Sequence, residues 1–129
     1  MNQLPTYNSV HPIGDTDPLN LPVPDAERAV PYYEEQLGFT VGGREETPVR
    51  RLTLRRDGIT ISLVENGGDP EQASCYLAVS DVDAARAELA ERGAAPGEIR
   101  VDNYGGSSYR VFFVRDPVGL CYCIGQKEE

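Results

Sequence analysis

The stretch LNLPVPDAERAVPYYEEQLGF, residues 19–39, changes its hydrophobic period part-way along its length. Up to residue 23 every second residue is aliphatic, which is typical of a short strand with one buried face. From residue 26 the apolar residues recur at helical spacing, at Ala26, Ala29, Val30, Tyr33 and Leu37. The stretch therefore predicts a strand followed directly by an amphipathic helix that packs its apolar side on the core.

Signals at both ends define this predicted helix. Asp25 is a good N-cap for a helix that begins at Ala26, and Gly38 follows the last turn as a C′ residue. Pro31 lies beyond the first turn and has no amide hydrogen, so we expect a notch or a slight bend there. Pro22 and Pro24 remove donors from the preceding strand, which should be bent or partly unpaired.

The same order of elements returns in the second half of the chain. LPVPD at 21–25 aligns with LAVSD at 77–81, and a second helix is predicted from Val82 to Arg92. Three strands are predicted after each helix, at 39–44, 49–56 and 59–65, and again near 99–102, at 109–115 and at 120–125. Each half therefore reads βαβββ. We divide the chain into an N-terminal arm (1–16) and a single domain (17–129), with repeat one (17–65), a linker (66–72) and repeat two (73–126).

The composition limits the classes of function. The chain has 129 residues, with 21 acidic and 12 basic side chains and a formal charge of −9. This charge argues against a nucleic-acid partner and is compatible with a cationic ligand or with solubility alone. No apolar run approaches the roughly 20 residues of a membrane span, and the N-terminus lacks a signal-peptide pattern. The three cysteines lack metal-site spacing, so we expect reduced thiols in a cytoplasmic protein.

Four motifs follow one another along residues 19–126: VPDAERAVPYYEEQLGF, DGITISL, LAVSDVDAARAELAERG and YRVFFVRDPVGLCYCIGQ. Together they resemble the vicinal oxygen chelate superfamily, the fold of glyoxalases, bleomycin resistance proteins and extradiol dioxygenases. The resemblance implies an α+β fold in which two βαβββ repeats form curved mixed sheets around a cavity. Open curved sheets leave apolar surface and strand edges to cover, so we also expect a homodimer.

The resemblance also identifies the positions that would hold a metal ion. Metal-dependent members of the superfamily carry His or Glu on the first and last strand of each repeat. In this chain those positions fall at Pro18, Ser62, Ser74 and Cys123. Proline cannot ligate, serine hydroxyls are poor ligands for transition metals, and one cysteine does not make a site. A shift of one residue would add only Asp17 as a good ligand, so we expect no metal and no cofactor.

Other side chains are expected to face the cavity and contact a ligand. Tyr76 shares a strand face with Ser74, and either Tyr109 and Phe113 or Arg110 and Phe112 join it. Aromatic side chains suit flat or amphipathic ligands, although core packing would explain them equally well. An arginine in the cavity would recognise a carboxylate or a phosphate. The candidate ligand-binding residues are Asn20, Arg51, Thr53, Ser62, Ser74, Tyr76, Tyr109, Phe113, Cys121 and Cys123.

Two further features leave alternatives open. Cys121 and Cys123 share a strand face and would be reactive only if a cation lowered their pKa; otherwise they are structural thiols. His11, the only histidine, either folds into the cavity beside Asp15 or Asp17 or lies in a surface loop.

Three hypotheses of function follow. The first is a metal-free protein that binds a small organic molecule in its cavity. The second is a glyoxalase- or dioxygenase-type enzyme that uses unusual ligands or a metal-free mechanism. The third is a domain whose cavity has closed, leaving a structural or partner-binding role. The missing metal ligands and the acidic charge favour the first.

Overall fold

The structure, a computed structural model, describes residues 4–128, so the first three residues of the predicted arm and the last residue of the predicted domain lie outside it. The strands are β1 (Tyr7–Pro12), β2 (Leu21–Pro22), β3 (Thr40–Glu45), β4 (Arg51–Arg56), β5 (Ile59–Val64), β6 (Ser74–Val79), β7 (Arg100–Tyr104), β8 (Ser107–Arg115) and β9 (Cys121–Lys127). The helices are α1 (Ala26–Pro31), continued by a π-helical turn (Tyr32–Gln36), and α2 (Val82–Glu91), with a 3-10 turn at Pro70–Gln72. The predicted α+β class is confirmed. Within residues 4–128, no helix has the length and apolar character needed to cross a membrane.

Both helices begin at the predicted caps. Asp25 Oδ1 accepts a hydrogen bond from the backbone N of Arg28 at 3.2 Å, and Asp81 Oδ1 accepts one from Ala84 at 3.1 Å. Gly38 ends the first helical segment with a φ of 75°, as a C′ glycine does. The disturbance expected at Pro31 takes the form of a wider, π-helical turn directly after it.

The two repeats form separate sheets that meet edge to edge. The N-terminal sheet has the strand order β2-β5-β4-β3, and the C-terminal sheet has the order β1-β6-β9-β8-β7. Gly58, in the β4–β5 hairpin, donates its N–H to the carbonyl of Tyr7 in β1 at 2.9 Å. The carboxylate of Asp57 accepts from the N–H of Tyr7, also at 2.9 Å. These bonds fix the edge of one sheet against the hairpin of the other.

Part of the predicted arm is a strand. β1 runs antiparallel to β6, from Tyr7 opposite Val79 to Pro12 opposite Cys75. Its sequence, YNSVHP, has no clear alternation, and it is ordered by the free edge of a strand that is distant along the chain. Local periodicity carries no information about such an edge, which explains why the sequence indicated only an irregular lead-in.

The proline-containing strand is short, as expected. β2 consists of Leu21 and Pro22, which run parallel to Leu63 and Val64 in β5. The chain on either side still contacts β5, because the carbonyl of Pro18 accepts from the N–H of Ser62 at 3.0 Å. The prediction of a partly unpaired first strand is therefore confirmed.

One continuous hydrophobic core lies beneath the helices and takes side chains from both sheets. Buried polar contacts also cross between the repeats within it. Arg56 in β4 donates to Glu88 in α2, and the hydroxyl of Tyr33 donates to the carboxylate of Asp116 at 2.7 Å. Because the helices cover one face of each sheet, the other face of each sheet remains available for a ligand or a partner.

Candidate functional site

The uncovered face of the C-terminal sheet carries a row of predicted site residues. Strand pairing sets Phe113 opposite Cys123, Cys123 opposite Tyr76, and Tyr76 opposite His11. Cross-strand partners share a face, so these side chains form one row, which we call the central row. Ser74 and Cys121 are paired in a neighbouring row of the same face. The structure thus brings together most of the candidates from repeat two.

The structure also selects between the two alternatives for β8. Phe112 is fully buried in the core, and Arg110 turns towards α2, where its guanidinium lies 2.7 Å from the carboxylate of Asp83. Tyr109 and Phe113 therefore share the face of Tyr76. The rings of Tyr76 and Tyr109 meet edge to face with their centroids 6.1 Å apart. Both tyrosines are partly exposed, so they present aromatic surface to the outside.

Gly125 makes room for this arrangement. A Cβ atom at this position would lie 2.6 Å from Val111 Cγ1, 2.8 Å from the carbonyl of Arg110 and 3.1 Å from Tyr76 Cε1. Val111 is only 2% exposed beside it. The Tyr76 ring therefore packs close to a backbone position that has no side chain.

The thiols of this face are poorly suited to nucleophilic chemistry. Cys121 and Cys123 are both free, and Cys123 is 8% exposed. Burial raises the pKa of Cys123 to about 11, and the nearby carboxylate of Asp102 acts in the same direction. Burial also raises the pKa of Cys121. A thiol that stays protonated at neutral pH is a weak nucleophile, so these residues are suited to packing or non-covalent contact.

Arg100 belongs to the same face, although the sequence patterns did not single it out. Its guanidinium lies 4.8 Å from the centroid of the Phe113 ring, and its Nε lies 3.2 Å from Asp102 Oδ1. The signal that would have found it is the YGGSS segment, residues 104–108. Its Gly105 and Gly106, both at positive φ, form the two-residue tip of the β7–β8 hairpin. This turn fixes the pairing of β7 with β8, which sets Arg100 opposite Val111 and so determines the sheet face on which Arg100 lies.

The uncovered face of the N-terminal sheet carries the polar candidates. Arg51 donates to the carbonyl of Leu19 and, through Nη2, to Asn20 Oδ1 at 2.8 Å. Thr53 and Ser62 are paired in the next row, with their hydroxyl oxygens 3.3 Å apart. The candidates from repeat one therefore cluster on one face, as those from repeat two do on the other sheet.

His11 lies at the border of the central row. Its ring centroid is 6.1 Å from that of Tyr76, and its Nε2 lies 2.8 Å from the hydroxyl of Ser9. The side chain is exposed, and within residues 4–128 neither Asp15 nor Asp17 is its hydrogen-bond partner. The arm thus brings His11 to this face, but without the carboxylate that would orient it as a general base.

The residues at the expected metal positions do not fit a divalent ion. The carbonyl of Pro18 accepts a backbone hydrogen bond from Ser62, a residue that is 3% exposed and whose hydroxyl lies 3.3 Å from that of Thr53. Ser74 and Cys123 add a neutral hydroxyl and a protonated thiol on the other sheet. Such donors match neither the nitrogen and thiolate ligands of zinc nor the carboxylates that harder ions need. Across the described residues, no cluster of three or more His, Cys, Asp or Glu is arranged to hold a metal.

Two clefts of the single chain lie away from these faces. One, of about 380 Å³, is lined by Leu4, Gly38, Thr40, Arg55, Arg56, Asp57 and Arg92. The other, of about 350 Å³, is lined by Val23, Pro24, Glu65, Gly67, Gly68 and Pro70. None of the candidate ligand-binding residues lines either of these two clefts.

Comparison with family models assigns residues 15–121 to the Glyoxalase/Bleomycin resistance protein/Dioxygenase superfamily. The chain belongs to this superfamily. The resemblance predicted from the four motifs is confirmed. No curated protein matches the sequence.

Solved structures of superfamily proteins share the fold over nearly their whole length. TnmS3, described as an antibiotic binding protein from Streptomyces sp. CB03234, is 28% identical with a TM-score of 0.69, covering 90% of this chain and 98% of TnmS3. A glyoxalase/bleomycin resistance protein from the same organism is 29% identical with a TM-score of 0.63, covering 85% of this chain and 96% of its own. A glyoxalase/bleomycin resistance protein/dioxygenase from Alicyclobacillus acidocaldarius, at 17% identity and a TM-score of 0.71, covers 89% of this chain and 92% of its own and supports the fold alone.

Proposed function

We propose that this protein binds a small organic molecule on the uncovered faces of its sheets, without a metal ion and without a covalent step. The observation that carries this proposal is the contact between Tyr76 and Tyr109, whose partly exposed rings meet 6.1 Å apart on a face that no helix covers. Full burial would favour core packing as the explanation of these rings. Partial exposure instead leaves apolar surface that a flat or amphipathic ligand can cover.

The chemistry of the face supports binding over catalysis. The thiols of Cys121 and Cys123 have raised pKa values, and burial raises the pKa of Tyr76 to about 12. These groups therefore stay protonated at neutral pH and are poor nucleophiles and bases. Within the described chain, no specific contact favours the glyoxalase- or dioxygenase-type alternative.

A second copy of the chain is part of this proposal. Small-molecule sites bury most of the ligand surface, whereas the candidate residues here line neither of the two clefts described above. A homodimer that sets one uncovered face against another would enclose the ligand and cover the exposed sheet surface. Sedimentation equilibrium with and without ligand tests this arrangement, and we expect a dimer in both cases.

The relatives guide the choice of ligands to test. TnmS3 is described as an antibiotic binding protein, and it shares 28% of its residues with this chain. We therefore include planar aromatic antibiotics, together with simple naphthalene derivatives, in the panel of ligands for this protein.

Titration calorimetry with wild-type protein and two tyrosine variants tests the proposed function. Tyr76→Ala removes a ring of the central row and should weaken binding by roughly tenfold, the typical contribution of one aromatic contact. Tyr104→Ala is the matched control, because Tyr104 is 80% exposed at the hairpin tip, outside the central row. Addition of EDTA should leave affinity unchanged. Equal loss in both variants, or loss on chelation, would contradict the proposal.

A further inference from the structure

Arg51, on the uncovered face of the N-terminal sheet, donates only to neutral groups among the described residues. Its guanidinium donates to the carbonyl of Leu19 and to the side-chain oxygen of Asn20, both of which are neutral. Within residues 4–128, no ion pair joins Arg51 to a carboxylate, whereas Arg44 and Arg110 each have one and Arg50 has two. Arg51 therefore places a positive charge on the N-terminal sheet face that its neighbours do not neutralise by contact.

Asp17 lies close enough for the charge of Arg51 to help lower its pKa, but its carboxylate accepts hydrogen bonds from other groups. The carboxylate of Asp17 accepts from Asn20 Nδ2 at 2.7 Å and from the backbone N–H of Leu19 at 2.9 Å. Hydrogen bonds from Leu19 and Asn20 keep the pKa of Asp17 below its usual value, so it stays ionised with its oxygens occupied. The Asn20 amide thus stands between the two charges. Glu45 lies opposite Arg51 in the strand register, but the arginine extends the other way, towards Leu19.

Further hydrogen-bond donors lie beside Arg51 on the same strands. In register, Arg51 is paired with Val64 and, two residues along, Thr53 is paired with Ser62. The two hydroxyl oxygens are 3.3 Å apart, so one of them can turn its hydrogen outward while accepting from the other. A guanidinium beside hydroxyl donors matches the needs of a carboxylate or a similar oxyanion.

We propose that the ligand of this protein is an organic anion: an aromatic body that covers Tyr76 and Tyr109, with a carboxylate or equivalent oxyanion that Arg51 receives. This inference rests on the proposed function and specifies its ligand. The two groups of residues lie on different sheets, so the ligand contacts both where an N-terminal face and a C-terminal face oppose each other.

The overall charge of the protein favours the opposite preference. A formal charge of −9 would by itself attract cations. However, charges on exposed residues are screened beyond about 8 Å at physiological ionic strength, while a contact between Arg51 and a ligand anion is not. The contact with Arg51 therefore decides which ligand charge binds more tightly at equilibrium. The net charge of the protein acts mainly on the rate of association.

Three ligands with the same ring system separate these alternatives: naphthalene-2-carboxylate, the neutral naphthalene-2-carboxamide and the cationic 2-(aminomethyl)naphthalene. In calorimetric titrations at physiological salt, wild-type protein should bind the carboxylate roughly tenfold more tightly than the amide, as expected for one charge-assisted pair. Arg51→Gln should abolish this preference, because it weakens binding of the carboxylate far more than binding of the amide. Arg51→Lys, which keeps the charge but loses the planar fork, should retain part of it.

Arg28→Gln is the matched control for the change in net charge. Arg28 is an exposed residue of α1, on the helix side of the fold, and its loss should leave the preference intact. A preference of the wild type for the cation, or equal binding of all three ligands, would overturn this inference while leaving the proposed function standing. Failure of all three ligands to bind at millimolar concentration would overturn both. Circular dichroism of each variant establishes that the fold is retained.

Discussion

Arg56 and Glu88 form a buried ion pair that joins the two repeats. The side chains are 7% and 6% exposed. Arg56 also donates to the carbonyl of Leu37 at 2.7 Å and lies 4.2 Å from the centroid of the Tyr7 ring. On the other side, Arg92 Nε lies 2.8 Å from the second oxygen of Glu88. This cluster fixes β4, β1 and α2 relative to one another, and so sets the relative position of the two sheets.

Glu88→Gln should lower the free energy of unfolding by about 3–5 kcal/mol, because it leaves the buried Arg56 with only the more exposed carboxylate of Asp57, whose Oδ2 lies 3.8 Å from Arg56 Nε. Asp83→Asn is the control. Asp83 lies on the surface of the same helix, α2, and pairs with Arg110 of β8, so its loss should lower the free energy of unfolding by at most about 1 kcal/mol. Urea unfolding of both variants measures the difference. Similar losses of unfolding free energy in the two variants would show that the buried ion pair stabilises the fold no more than the surface pair does.

Tyr33→Phe should lower the free energy of unfolding by about 1–3 kcal/mol. The Tyr33 hydroxyl donates to Asp116 at 2.7 Å and lies 2.6 Å from the hydroxyl of Tyr122, and all three residues are buried. The buried carboxylate would lose this donor and could not regain it from water. Tyr32→Phe removes a longer, 3.3 Å contact to the carbonyl of Arg115 near solvent, and should change stability by less than about 0.5 kcal/mol.

Gly125→Ala tests the close packing beneath the central row. The new methyl group would overlap Val111 Cγ1 and crowd Tyr76, so we expect a loss of about 1–3 kcal/mol in unfolding free energy and weaker ligand binding. Gly43→Ala provides the comparison, because a Cβ there meets nothing within 4 Å. Thermal unfolding of both variants measures the change in stability, and calorimetry measures the change in ligand affinity. A fully stable Gly125→Ala protein would mean that the sheet can shift at this point.

Stability should fall in alkaline solution. Burial raises the pKa of Cys75 to about 12, whereas a thiol in an unfolded chain titrates near 8.5. Above pH 8.5 the unfolded state loses this proton and the native state retains it, so stability decreases until the pH reaches about 12. Cys75→Ala should therefore flatten the dependence of unfolding free energy on pH by up to about 1.4 kcal/mol per pH unit between pH 9 and 11. Parallel curves for wild type and variant would contradict this assignment.

Metal content provides a direct check on the substituted ligand positions. Protein purified without a histidine tag and equilibrated with nickel, zinc, manganese and ferrous iron should retain close to no metal per chain after gel filtration. The reason is that Pro18, Ser62, Ser74 and Cys123 supply no adequate donor set. A stoichiometry near one per chain would point to His11 and the acids near it as ligands, and would make catalysis the leading hypothesis.

The sequence predicted the repeat order and the helix caps well, because each depends on residues close together in the chain. Asp25 bonds and Gly38 turns within a few residues of its own position. The sequence was less informative wherever an outcome depended on a strand pairing. It left the faces of Tyr109 and Phe113 undecided, and it did not single out Arg100.

The sequence by itself determined the class of fold and the helix caps, since periodicity and capping residues are local properties, and its four motifs carried the resemblance to the superfamily. Only the tertiary structure decided that residues 7–12 form an edge strand carrying His11 to Tyr76, and that Arg51 meets neutral oxygens instead of a carboxylate. These relationships arise from the register between strands that are distant along the chain. A shift of one residue in that register moves every side chain to the opposite face, so the ligand-facing surface exists only once the sheets are assembled.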